Sequence, residues 1–199
     1  MINTVIFDIG NVLTTFAWEE HIKKHGHDKE MIMRIAKATV NSDDWKQYDI
    51  GIMTDDEIMD EFIKNDPEIG EEIREVFSDF ENLVLKRDYA IPWIKELKAK
   101  GFRVLYLSNF SNKAETECAA ALDFIPYTDG GILSYKDKVI KPELEIYDLL
   151  AKRYGLIPSE CIFFDDTKAN VDAAIEYGYN AVLFTDYESA RDVIDNFNM

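Results

Sequence analysis

Four short apolar runs recur along the chain, and each stops at polar residues. Val5-Ile6-Phe7 ends at Asp8, with Gly10-Asn11 beyond; residues 103–107 end at Ser108-Asn109, residues 161–164 at Asp165-Asp166, and residues 181–184 at Thr185-Asp186. Runs this short and apolar read as buried strands entering turns. Between them, apolar positions recur at helical spacing over residues 91–100, 143–154 and 169–177, and Gly101, Gly155 and Gly178 close the three stretches. Glycine suits the left-handed residue that follows a helix. Apolar strands alternating with helices predict an α/β fold, a doubly wound parallel sheet covered on both faces.

Residues 17–87 break this rhythm. They are rich in Met, Glu, Asp and Lys, contain Pro67 as their one proline, and carry apolar residues at helical spacing, as in Ile32, Ile35, Ala36 and then Ile58, Met59, Phe62, Ile63. The pattern predicts an all-helical insertion between the first strand and the rest of the sheet, with residues 1–16 and 88–199 forming the α/β core. Its methionines read as core filler.

Composition narrows the classes. A chain of 199 residues with 47% hydrophobic and 31% charged residues is an ordinary globular protein, long enough to bury about 70% of its unfolded surface. Asp and Glu outnumber Lys and Arg 39 to 22, and the net charge of −17 repels nucleic acid and anionic membrane surfaces. Neither is expected as a partner, and a monomer or homodimer is. Any anion site must be rescued locally by a cation, a lysine or oriented amides. Cys118 and Cys161 read as reduced thiols. With no secretory signal pattern at the start and no apolar stretch of about 20 residues, the expectation is a soluble, cytoplasmic protein.

In open parallel sheets, polar residues at the carboxyl ends of strands meet in one crevice. The residues found there match what phosphate monoester hydrolysis needs. Asp8 is a carboxylate able to attack phosphorus without a base. Asp8 with the adjacent Asp165 and Asp166 supplies the oxygen ligands magnesium prefers. Ser108, Asn109 and the amides after them can donate to phosphoryl oxygens. Lys141 offers a point charge, and Pro142 beside it predicts a helix start there. A proton donor for the leaving alcohol is the one component with no candidate among these residues.

These segments, in this order, resemble the four motifs of the haloacid dehalogenase-like superfamily. Phe7-Asp8-Ile9-Gly10-Asn11-Val12-Leu13 resembles the first, Leu105-Tyr106-Leu107-Ser108-Asn109 the second, Lys141-Pro142 the third, and residues 163–170, with Asp165-Asp166 at their centre, the fourth. The insertion falls where members with a helical cap carry it. The resemblance implies a Mg2+-dependent phosphatase with Asp8 as nucleophile and metal ligand and Gly10 lending its backbone carbonyl to the metal. Asp166 would bind the metal directly and Asp165 through water, with Asn170 behind them; Ser108, Asn109 and Lys141 would hold the phosphoryl group.

Gly10 departs from the family pattern. Most phosphatases of the superfamily have there a second Asp that serves as general acid and then base. General acid-base help is worth about 10²–10⁴-fold, so its loss implies a slow enzyme, a substitute from the cap, or a leaving group that needs little protonation. Asp43, Asp44 and His21 are candidate substitutes. A subgroup resembling sugar-phosphate phosphatases, including those acting on glucose 1-phosphate, shares this glycine, and an anomeric phosphate has a better leaving group than an ordinary alcohol. The expected substrate is therefore a small phosphorylated metabolite, a sugar phosphate by this likeness. Competing expectations are a dehalogenase attacking carbon without metal, a phosphomutase, and a protein that binds phosphometabolites with little turnover.

Overall fold

The computed structural model describes residues 1–197. The chain begins with β1 (Thr4–Phe7) and β2 (Thr14–Phe16), then runs through five helices: α1 (Trp18–Lys23), α2 (Lys29–Ala38), α3 (Asp43–Ile50), α4 (Asp55–Asn65) and α5 (Gly70–Val76). After β3 (Val84–Lys86) come α6 (Ala90–Ala99), β4 (Arg103–Ser108), α7 (Asn112–Glu117), β5 (Gly131–Leu133) and α8 (Ser134–Asp137). The rest is α9 (Leu144–Tyr154), β6 (Cys161–Asp165), α10 (Lys168–Tyr177), β7 (Asn180–Leu183) and α11 (Tyr187–Phe197).

The main sheet has five strands in the order β5-β4-β1-β6-β7, and every pairing in it is parallel. Its central strand explains the unbroken apolar run. Val5 and Phe7 face one cluster, where Phe7 meets Trp93 at 4.5 Å between ring centroids and Phe164 at 5.7 Å. Ile6 faces the other, with Leu105, Leu107 and Phe163. Water is excluded from both sides, so there is no place for polar alternation. Each fully buried large side chain contributes about 1.5–3 kcal/mol, which anchors the strand that carries Asp8.

The predicted helix stops hold: Gly101, Gly155 and Gly178 take φ of +92°, +61° and +113°. Two short pairings were not apparent from the pattern. β5 forms an edge of three residues, and β2 pairs antiparallel with β3, Thr14 opposite Lys86 and Phe16 opposite Val84. This ribbon brackets α1–α5. Trp45 stacks there between Phe62 and Phe80, at interplanar angles of 11° and 19°. Met31, Met53 and Met59 pack against the same apolar cluster, as filler does, whereas Met33 is exposed. Cys118 and Cys161 are free and buried. Among the described residues no helix is long and apolar enough to cross a membrane.

Two local expectations are corrected. Pro142 does not open a helix, because α9 starts at Leu144 and Glu143 before it is extended, at φ −64° and ψ 136°. Thr185-Asp186 likewise ends a strand without joining the crevice. Its carboxylate caps α11, accepting from the Ser189 amide at 2.8 Å and the Ser189 hydroxyl at 2.9 Å.

Candidate active site

Strand register places the polar strand ends side by side. Phe7 lies opposite Tyr106 on β4 and Phe164 on β6, so the next residues, Asp8, Leu107 and Asp165, are level. The Asp8 amide donates to the Phe164 carbonyl at 2.8 Å, extending the ladder one step. Asp8, Ser108, Lys141 and Asp166 then line one cavity of about 210 Å³. Phe16, Trp45, Leu83 and Val84 add apolar surface to the same lining.

Lys141 binds the charges together. Its ammonium lies 2.9 Å from Asp8 Oδ1 and 2.6 Å from Asp165 Oδ2, and all three side chains are nearly or fully buried. Burial alone would pull this lysine down, but the carboxylates of Asp165 and Asp8 outweigh it and hold its pKa above the ordinary value. Lys141 is therefore charged in the interior. Burial pushes Asp8 up to about 7, with Lys141 opposing and Asp165 adding to the rise. The Ser108 hydroxyl acts on Asp8 in the same direction as Lys141. Asp8 Oδ1 also accepts from the Ile9 amide at 2.7 Å, so the loop and the lysine grip the same oxygen.

Asp165 and Asp166 are neighbours with different surroundings. Asp165 is fully buried and saturated: Oδ1 accepts from the Thr167 amide at 2.8 Å, Oδ2 from Lys141, and Asn170 Nδ2 reaches both oxygens at 3.0 and 3.1 Å. Asp166 is the more open of the two, and its Oδ2 accepts from Asn11 Nδ2 at 2.9 Å. Asn11 takes φ of +56°, a left-handed conformation that Asn tolerates better than most residues. Ligand oxygens of Asp8, Asp165 and Asp166 lie within 4.8 Å of one another. An all-oxygen carboxylate set of this kind fits magnesium, a hard divalent cation.

Asn109 does something the sequence did not suggest. Its Nδ2 donates to the Lys141 carbonyl at 3.0 Å, and its Oδ1 accepts from the Lys141 amide at 2.8 Å. Both ends of the side chain are used on the backbone of Lys141, and this clasp, in place of a helix start at Pro142, positions the lysine. The Phe110 amide is also occupied, donating to Ser134 Oγ at 2.9 Å.

None of the proposed proton-donor substitutes reaches the cavity. His21 is buried under α5, its ring bridging the Val76 carbonyl at 2.9 Å and the Glu81 carbonyl at 3.2 Å. Asp43 pairs with Lys46 at 2.9 Å, and Asp44 accepts from Asn65 at 2.7 Å. The helix that carries both acids sends a different one to the cavity, Asp49, alongside Trp45 four residues earlier. Residues four apart share a helix face, and that spacing was the available signal. At Gly10 a Cβ would meet nothing within 4 Å, and the backbone, at φ −60° and ψ 130°, is one any residue adopts.

A family model described as haloacid dehalogenase-like hydrolase matches residues 2–178. The chain belongs to that family. Among curated relatives, Phosphatase MT3486 of Mycobacterium tuberculosis is 27% identical, the alignment covering 96% of this chain and 91% of that one. D-ribitol-5-phosphate phosphatase of Bacteroides thetaiotaomicron is 28% identical over 90% of each chain. The fold agrees with solved members of the family. A predicted hydrolase from Porphyromonas gingivalis superposes with a TM-score of 0.74 at 19% identity, covering 99% of this chain and 98% of the other. A family enzyme from Bacteroides thetaiotaomicron, in complex with magnesium and inorganic phosphate, superposes with a TM-score of 0.71 at 22% identity, covering 96% and 99%.

Proposed function

We propose that this family member is a Mg2+-dependent phosphatase acting on a small phosphorylated metabolite, a sugar phosphate, with Asp8 as the nucleophile. The observation that carries the reading is Asp8 held by a buried, charged Lys141 beside Asp165 and Asp166. In this reading residues 1–16 and 88–199 are the catalytic core, and residues 17–87 form a helical cap that closes the apolar side of the cavity. The relatives named as phosphatases, one of them of D-ribitol 5-phosphate, and the neighbour with magnesium and phosphate support it.

Asp8, Asp166 and the Gly10 carbonyl would hold the metal, with Asp165 behind them. When bound, magnesium neutralises charge on the phosphoryl oxygens and on the crowded carboxylates. The chain supplies the rest. Lys141 and the Ser108 hydroxyl balance the phosphoryl charge, and the Asp8 carboxylate bonds to phosphorus as the bond to the leaving oxygen breaks. Water then releases phosphate from Asp8. A dehalogenase needs no paired carboxylates after β6, so Asp166 beside Asp8 favours phosphorus over carbon.

The test is hydrolysis of p-nitrophenyl phosphate, whose leaving group needs no acid. Wild type with magnesium should turn it over, excess chelator should stop it, and Asp8→Asn should abolish it while the melting curve stays cooperative. Turnover that persists in Asp8→Asn would remove Asp8 from the reaction, and turnover indifferent to chelator would reject the metal. A panel of sugar phosphates then ranks substrates.

A further inference from the structure

Asp49 is unusual among the acidic side chains of this chain. It sits in the last turn of α3, half-buried, and lines the cavity that also holds Asp8, Ser108 and Lys141. Among the described residues its carboxyl has no hydrogen-bond partner. A half-buried carboxyl without a protein partner, facing a cavity that holds other charged groups, is a candidate for chemistry.

Its placement is fixed by the sheet side of the cavity. Ser134, fully buried at the start of α8, donates its hydroxyl to the Asp49 carbonyl and accepts from the Phe110 amide in the loop after β4. Two residues beyond Asp49, the Gly51 carbonyl accepts from Lys138. Gly51 closes α3 at φ +76°, and a Cβ there would stand 2.8 Å from Tyr135 Cβ and 2.9 Å from its carbonyl oxygen. Only glycine lets α3 come this near to α8. The end of α3 is thus locked at three points, and Asp49 is held over the site rather than waving above it.

On the core side there is space with nothing in it. The position two residues after Asp8, where most phosphatases of the superfamily carry their acid, is Gly10, beside open room. From these placements, and resting on the phosphatase reading above, we infer that Asp49 is the general acid and base of this enzyme, delivered from the helical insertion instead of from the loop after β1.

The proton balance is complete within the chain. As Asp8 bonds to phosphorus and the phosphorus–oxygen bond to the substrate breaks, the Asp49 carboxyl gives its proton to the departing oxygen and is left as a carboxylate. In the second half, that carboxylate takes a proton from water while the water oxygen bonds to phosphorus. The bond to Asp8 breaks, inorganic phosphate leaves, and Asp49 ends protonated again. Its charge environment suits the first half. Burial, reinforced by the negative charge of Asp8 and opposed by Lys141, pushes the Asp49 carboxyl up to about 8. Of the other charged groups near this end of α3, Lys138 is taken up by Gly51, and Asp55 accepts from Tyr48.

Two esters of similar shape test this: p-nitrophenyl phosphate, whose phenolate leaves unaided, and benzyl phosphate, whose alkoxide needs a proton. Formation of the phosphorylated enzyme is followed by rapid quench in a single turnover, so that the hydrolytic half does not mask the first. Asp49→Asn should slow transfer from benzyl phosphate by about 10²–10⁴-fold more than transfer from p-nitrophenyl phosphate, and the transfer that remains on the second ester shows that the variant is folded. Equal loss on both esters, or loss on neither, overturns the assignment. If Asp49→Asn does not fold, wild type decides through the rate across substituted phenyl phosphates. A shallow dependence on phenol acidity supports an acid in place, and a steep one overturns it. The phosphatase reading fails separately, through absent turnover of p-nitrophenyl phosphate or turnover that survives Asp8→Asn, and the role of Asp49 falls with it.

Discussion

Asn109 holds Lys141 by the backbone at both ends of one residue, 2.8 Å from the lysine amide and 3.0 Å from its carbonyl. Few side chains can do this, because the pairing needs a donor and an acceptor on one short planar group. Asp keeps the acceptor and loses the donor; Ala loses both. Asn109→Ala should therefore lower kcat through a misplaced ammonium while the chain stays folded. Positioning errors near 1 Å cost on the order of 10²-fold, so a drop of that size with little change in Tm is the expected result. Asn109→Asp should fall as far or further.

The buried ion triad has a stability signature of its own. Removing Lys141 leaves Asp8 and Asp165 enclosed without their cation, and breaking a buried pair in this way costs about 3–5 kcal/mol. At about 2–4 °C per kcal/mol for a chain of this size, Lys141→Met should lower Tm by roughly 10 °C in the absence of metal. The contrast is Lys168→Met. Lys168 pairs with Asp172 at 2.6 Å, but both side chains are more than half exposed, and exposed pairs contribute little. Its Tm should stay within error of wild type.

Much of this arrangement was written in local sequence. β1 and β6 are legible because both faces of a central parallel strand are apolar, and the residues that end them, Asp8 and Asp165, are therefore conspicuous. Lys141 was picked out locally as a point charge beside Pro142, but the helix start read there was wrong, and its place in the site came from its likeness to a family motif. Its actual anchor, Asn109, is 32 residues away, a contact no periodicity encodes. The pairing of β2 with β3 spans the whole helical insertion and was equally invisible. Asp186 misled for the converse reason, since a polar residue after a strand is as often a helix cap as part of a site. Asp49 was missed because α3 carries three acids, Asp43, Asp44 and Asp49, and only the docking of Gly51 on Tyr135 decides which faces the crevice.

Asp49 also makes a prediction about stability against pH that needs no substrate. In the folded chain its carboxyl is raised to about 8, from 3.8. Between those limits the folded state holds a proton that the unfolded state has released. Stability then falls as pH rises through that window, since the slope follows the protons bound by the unfolded state minus those bound by the folded state. This is the reverse of an ion-paired carboxylate, whose contribution is lost as pH falls. Asn has the shape of the protonated acid and never ionises, so Asp49→Asn should match wild type near pH 4 and exceed it progressively up to about pH 8. Each unit of raised pKa is worth about 1.4 kcal/mol, or about 3–6 °C at the Tm sensitivity given above. Melting curves of the metal-free proteins at pH 4.5, 6 and 8 provide the check. Asp8, also raised, titrates in both proteins, so the difference between the curves reports Asp49 together with its coupling to Asp8. A gap that is constant across the three pH values would mean that Asp49 ionises in the folded chain as it does in water, and that the cavity does not hold its proton.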